Sequence, residues 1–253
     1  MQPPDLSALV GAVRLIGARR IRPIGPRALA RFLREAIARG RLGPTALVRL
    51  HALDTPASPA IVSGDVRFDY GQLDARINRL AHGLVSLGVR PGDRVALLLH
   101  NGHEHIEATS AIATLGAVAV QIGYRLKPKE VAWLLGDSGA RAILFHADYA
   151  PTVETACAEP GPAPIARVAI GDAPGFTPYE ELLAQGDPAA PPSLPSADRD
   201  SSWGGLMTYT SGTTGRVKGA RRDFRNTGWG PVLNFLADLP MRHDERHLVV
   251  SPL

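Results

Sequence analysis

The chain has 253 residues, is 45% hydrophobic and carries 28 basic against 24 acidic side chains, a net charge of +4. A chain of this length can bury on the order of 70% of its unfolded surface, which suits one or two domains. Its single cysteine, Cys157, excludes an intramolecular disulfide and fits a reducing compartment. The charge is uneven: residues 1–50 hold ten arginines against Asp5 and Glu35, so the positive balance is an N-terminal property. Asp5 and Arg14 interrupt the early apolar residues, so a secretory signal is not expected.

Residues 6–16 and 45–53 read as short helices, with a stronger one over 26–39 between. There Pro26 suits the first turn and Gly40 the stop, with Leu29, Phe32, Leu33 and Ile37 on one face and Arg27, Arg31 and Arg34 on the other. Such a helix is either a cap on the main domain or a basic surface that meets anionic lipid. Aromatic residues are too sparse around it for a nucleic-acid surface.

From residue 60 the pattern changes. Ile61–Ser63 and Val66–Phe68 flank Gly64-Asp65 as a hairpin. Residues 72–87 form an amphipathic helix with Leu73, Ile77, Leu80 and Leu84 on one stripe, closed by Gly88. Then come a strand at 95–99, a helix at 103–114, a strand at 117–120, a helix at 127–135 and a strand at 142–145. The uncharged run 108–124 is thus helix and strand, not a membrane span. Residues 151–200 hold ten of the 22 prolines; a strand at 167–170 and a helix at 179–184 interrupt them, and 186–200 is a linker by composition. A strand at 206–209, an interrupted helix at 223–237 and a strand at 247–250 complete the reading. Alternating strands and helices predict an α/β fold with a mostly parallel sheet.

Ten residues after the strand at 206–209 carry the chemistry: Thr210-Ser211-Gly212-Thr213-Thr214-Gly215-Arg216-Val217-Lys218-Gly219. Glycine admits positive φ, so successive N–H groups can converge on one anion. Hydroxyls from Thr210, Ser211, Thr213 and Thr214 add donors, and Lys218 adds a cation. These are the means of holding a polyphosphate. The glycine spacing fits neither G-x-x-x-x-G-K-[ST] nor G-x-G-x-x-G, and no G-x-S-x-G elbow suggests a hydrolase.

Tyr209 through Gly219 resemble the phosphate loop of the adenylate-forming enzymes, [YF]-T-S-G-[ST]-T-G-x-P-K-G, with Val217 in place of the proline. Proline has no N–H to offer, so that change removes no phosphate ligand. The likeness extends backwards through Phe68–Asp74, Asn78–Ala81, Leu87–Ala96, Leu115–Val118, Tyr124–Pro128 and Ser138–Arg141.

The resemblance, most like bacterial fatty-acyl-CoA synthetases, implies a partial N-terminal subdomain over 56–253 behind a basic helical extension, 1–55. It implies ATP, Mg2+ and coenzyme A as cofactors or co-substrates, and a fatty acid as substrate. Thr210, Ser211, Gly212, Thr213, Thr214, Gly215 and Lys218 would bind phosphates, with Lys218 catalytic. Y-G-x-T-E, T-G-D, the hinge and the C-terminal lysine of that family do not occur here. The expectation is therefore a catalytically incomplete portion, with a C-terminal half as a partner. A cytoplasmic location with peripheral membrane contact through 6–41 completes the reading.

Three secondary candidates carry less. His100, His103 and His105, with Glu104 and Glu107, do not share one helical face, so no metal is expected. His243 and His247 straddle an element boundary, and Cys157 lacks a nearby base.

Overall fold

The computed structural model describes residues 24–39, 46–160, 165–192, 204–211, 217–223 and 245–249. The expected helix at 6–16, residues 212–216 and all of the expected helix at 223–237 except Asp223 lie outside them.

Two helices come first, α1 (Pro26–Arg39) and α2 (Ala46–Asp54), then the antiparallel hairpin β1 (Pro59–Ser63) and β2 (Val66–Asp69). Helix α3 (Tyr70–Ser86) starts on a reciprocal cap. Asp69 Oδ1 accepts the Gln72 N–H at 2.7 Å, and Gln72 Oε1 accepts the Asp69 N–H at 3.0 Å. The chain then alternates: β3 (Arg94–Leu98), α4 (His103–Leu115), β4 (Val118–Gln121), α5 (Pro128–Ser138), β5 (Ala140–His146) and α6 (Ala150–Ala158). It continues through β6 (Ala166–Ile170), β7 (Thr177–Pro178), α7 (Tyr179–Ala184), β8 (Gly205–Ser211) and β9 (Val217–Asp223).

Strands β3 to β9 form one sheet in the order β7-β6-β5-β3-β4-β8-β9. Every pairing is parallel except β8 with β9. This is the expected mostly parallel α/β sheet.

The strand sequences explain the layering. Side chains alternate faces along a strand, and a central parallel strand is covered on both. In β3, Val95 and Leu97 pack with Leu80 and Leu84 of α3 and Ile112 of α4. Ala96 and Leu98 pack on the other side with Val131 and Leu135 of α5 and Val153 of α6. The uninterrupted apolar run is thus two half-patterns feeding two cores. The stripe Leu73, Ile77, Leu80 and Leu84 is buried as its spacing predicts.

Three expectations need correction. Residues 150–158 are helical, an element absent from the reading of the proline-rich stretch 151–200: Pro151 stands in the first turn of α6, where its missing N–H costs nothing. Residues 245–249 form no strand and are exposed; apolar β-formers make a strand only where a partner pairs with them. On α1, Leu29 and Leu33 are exposed, 40% and 45%, while Ala28 is buried. The helix docks through the edge bearing Ala28 and Glu35, and these two leucines stay exposed.

That docking is ionic. Arg49 of α2 donates to both Glu35 oxygens at 3.0 Å and to Asp74 of α3. Asp74 also accepts from Asn78 at 3.1 Å. Burial pushes the Asp74 carboxyl up, and the Arg49 charge opposes that shift. A second network joins α3, α4 and α7. The fully buried Glu107 accepts from Arg76 Nε at 2.7 Å and from the Tyr179 hydroxyl at 2.6 Å.

Candidate functional site

The hydroxyl- and glycine-rich run sits at one end of the sheet. Strand β8 enters it beside β4, with Val118 opposite Gly205 and Gln121 opposite Thr208. Strand β9 leaves it in the opposite direction, with Thr210 opposite Lys218 and Ser211 opposite Val217. The backbone positions of Thr210, Ser211 and Lys218 therefore meet at the carboxyl end of β8. Gly212, Thr213, Thr214 and Gly215 lie outside the described residues. The strand into the run is as the sequence predicts; the strand out of it is not.

Tyr209 anchors the base of this hairpin. Its hydroxyl donates to Asp137 Oδ2 of α5 at 2.7 Å, and its ring meets Trp133 edge-on at 5.9 Å. Burial and the Asp137 hydrogen bond push its ionisation up, so it is held as a neutral donor. Gly219, opposite Tyr209 on β9, makes room for this: an added Cβ would lie 3.1 Å from the ring and would strike Met207. Arg221 and Arg222 are exposed on β9, the last strand of the sheet among the described residues.

The sheet reverses its winding beside this end. Strand β4 follows β3 on one side, and β5 returns to the other. In open α/β sheets such a switch point, outside the carboxyl ends of the strands, is where ligands bind. Leu97, Gln121 and Thr208 share one rung, so His100 and Ser211 each stand three residues beyond it.

Spacing alone did not reveal what gathers there. His100 meets His146, Asp148 and Tyr149 from the end of β5; an apolar strand ending in His-Ala-Asp-Tyr was the available signal. Among the described residues no group of three or more His, Cys, Asp or Glu is arranged to hold a metal ion. Cys157 is half-buried and burial pushes its thiol up, away from the reactive thiolate. His247 is exposed, and His243 lies outside the described residues.

A family model described as "AMP-binding enzyme" matches residues 48–253. Feruloyl-CoA synthase of an Amycolatopsis species is 38% identical over 199 residues, 79% of this chain and 37% of that protein. The long-chain-fatty-acid–CoA ligase FadD13 of Mycobacterium tuberculosis is 32% identical over 209 residues, 82% of this chain and 40% of its own length. The fold resembles the inhibitor-bound N-terminal domain of FACL13 from M. tuberculosis, with TM-score 0.61 and 33% identity, covering 72% of this chain and 44% of that one. The chain thus spans about two-fifths of the length of these curated relatives. No described helix is long and apolar enough to cross a membrane. With the parallel sheet, the hairpin and the match over 48–253 agreeing, the chain belongs to the AMP-binding enzyme family and corresponds to the N-terminal part of its acyl-CoA ligase relatives.

Proposed function

We propose that these residues form the phosphate-holding portion of an ATP-dependent acyl-CoA synthetase acting on fatty acids. In the proposed reaction the carboxylate attacks the α-phosphorus of ATP and pyrophosphate leaves. The thiol of coenzyme A then displaces AMP from the acyl-adenylate. Thr210, Ser211, Thr213 and Thr214 donate hydroxyls to the phosphates, Gly212 and Gly215 let backbone N–H groups converge on them, and Lys218 neutralises charge. Such fixed donors act most strongly where negative charge develops, on the departing pyrophosphate. Mg2+ would neutralise further phosphate charge, its ligands being phosphate oxygens and residues beyond those described.

The observation that carries the proposal is the β8–β9 hairpin, which brings the backbones of Thr210 and Lys218 to one rung at the carboxyl end of a parallel sheet. A relative named for ferulate is 38% identical and one named for long-chain fatty acids 32% identical. The fatty-acid assignment rests on the exit, Lys218-Gly219-Ala220-Arg221-Arg222, which resembles bacterial fatty-acyl-CoA synthetases more than peptide-synthetase domains. The proposal retains an extension over 1–55 and an AMP-binding portion over 56–253. It also places the protein in the cytoplasm, with the arginine-rich residues 6–41 touching anionic lipid. Exposed Leu29 and Leu33 beside Arg27, Arg31 and Arg34 support that contact. Failure of the chain to sediment with anionic vesicles at low salt would remove it.

ATP titrated into the 253-residue chain by calorimetry tests the reading. Lys218→Ala should weaken binding roughly 10- to 100-fold, the worth of one charge-assisted contact. Unchanged affinity would refute the role of Lys218. The alternative reading is a non-catalytic nucleotide-binding remnant, or a portion that works with a C-terminal half. ATP would then bind without ATP–pyrophosphate exchange, and exchange with fatty acids by these residues alone would overturn that reading.

A further inference from the structure

His146 ends β5, and its Nδ1 lies 3.1 Å from the backbone nitrogen of His100 in the β3–α4 loop. A ring nitrogen accepts an N–H only through a free lone pair, so this bond requires an unprotonated Nδ1. The His100 ring is fixed too. Its Nε2 lies 2.8 Å from Asp148 Oδ2, and its Nδ1 lies 3.2 Å from the Tyr149 hydroxyl. The two imidazoles pack at 4.9 Å. One loop is therefore tied to one strand end by a contact that a single proton on His146 abolishes.

We infer that the His146–His100 contact is a proton-sensitive latch that holds the β3–α4 loop closed at neutral pH and releases it in mild acid. It depends on no assumption about what the chain binds.

The groups facing His146 set the response. From the β3–α4 loop and α4 come His100, His103, Glu104 and His105; from the turn after β5 comes Asp148; β6 presents Ile170. Burial pushes the His146 ring down, with His100 and His103 adding to it and Glu104 and Asp148 opposing. His105 is buried, neither ring nitrogen makes a well-formed hydrogen bond, and burial also pushes it down. This neighbour therefore offers little to stabilise a second proton. The sign follows: His146 protonates less readily in the closed form than in the open one. The latch is fully present above the ordinary histidine value of about 6.5, and weakens as pH falls below it.

Amide hydrogen exchange of His100, followed by NMR on the whole chain and corrected for intrinsic rates, reads the latch. Its protection should fall up to about tenfold per pH unit below about 6.5, the consequence of one coupled proton. His146→Asn retains an acceptor that does not titrate, and protection should then be flat between pH 5.5 and 7.5. Flat protection in the unsubstituted chain, or an unchanged slope in His146→Asn, overturns the latch. Should that variant fail to fold, the ring 15N spectrum of the unsubstituted chain decides. Nδ1 bare and Nε2 protonated at pH 7.5 supports the latch, and the opposite tautomer ends it.

Discussion

Strands β3 and β8 belong to the same sheet and run parallel, yet they are built differently. In β3, Val95 to Leu98 are all buried between two helical layers. In β8, Leu206, Met207 and Tyr209 are half-buried and Thr208 is exposed; its partner β9 is exposed from Gly219 to Arg222. The first is scaffold, whose residues are dictated by packing. The second leads into the run proposed to hold polyphosphate, and its described side chains are more exposed. Stability should therefore reside around β3, and ligand recognition around the hairpin.

The sharpest way to break that contrast is at the buried carboxylate under α3. Arg76→Ala strips Glu107 of its cationic partner while leaving it fully buried, so a loss of about 3–5 kcal/mol is expected in denaturant unfolding. The exposed Arg76–Glu180 contact contributes little of that. A loss under about 1 kcal/mol would mean Glu107 is not confined as described. Leu144→Ala, in the adjacent strand β5, should cost about 2–5 kcal/mol by leaving a cavity between layers.

Alkaline titration sharpens the scaffold side. Burial and the Glu107 carboxylate push the Tyr179 phenol well above its ordinary range. The folded chain keeps that proton while the unfolded chain loses it near pH 10. The stabilisation is thus complete below about 10 and is lost above it, at up to about 1.4 kcal/mol per pH unit. Tyr179→Phe should flatten this segment of the stability–pH curve; an unaltered slope would locate the effect elsewhere.

Effects should shrink toward the hairpin. Tyr209→Phe removes one hydrogen bond to Asp137 and should cost about 1 kcal/mol of thermal stability. Arg222→Ala on exposed β9 should stay within about 0.5 kcal/mol. A hairpin change as costly as Leu144→Ala would contradict the division.

The same division explains what could be read in advance. Apolar runs such as Val95–Leu99 and the stripe of α3 state their burial directly, so most of the layered α/β body was legible. Pro151 misled because the residue that breaks a helix interior is harmless in a first turn. Strand β9 was invisible because Val217-Lys218-Gly219-Ala220-Arg221-Arg222 has no apolar alternation; such a strand is defined by its partner, here β8 in register. The polyphosphate motif was plain because it needs only residue types in order. The His100–His146 contact was not, because it joins two strand ends 46 residues apart whose adjacency comes from the sheet order.

The central claim is that the hairpin from Thr210 to Lys218 grips nucleotide phosphates. Titrating ATP into the isotopically labelled chain and following backbone amides tests it most directly. Saturable shifts confined to residues near 208–219, and weakened by Lys218→Ala, are the expected result. Saturable shifts that leave those amides unmoved, or no shifts at millimolar ATP, would contradict it.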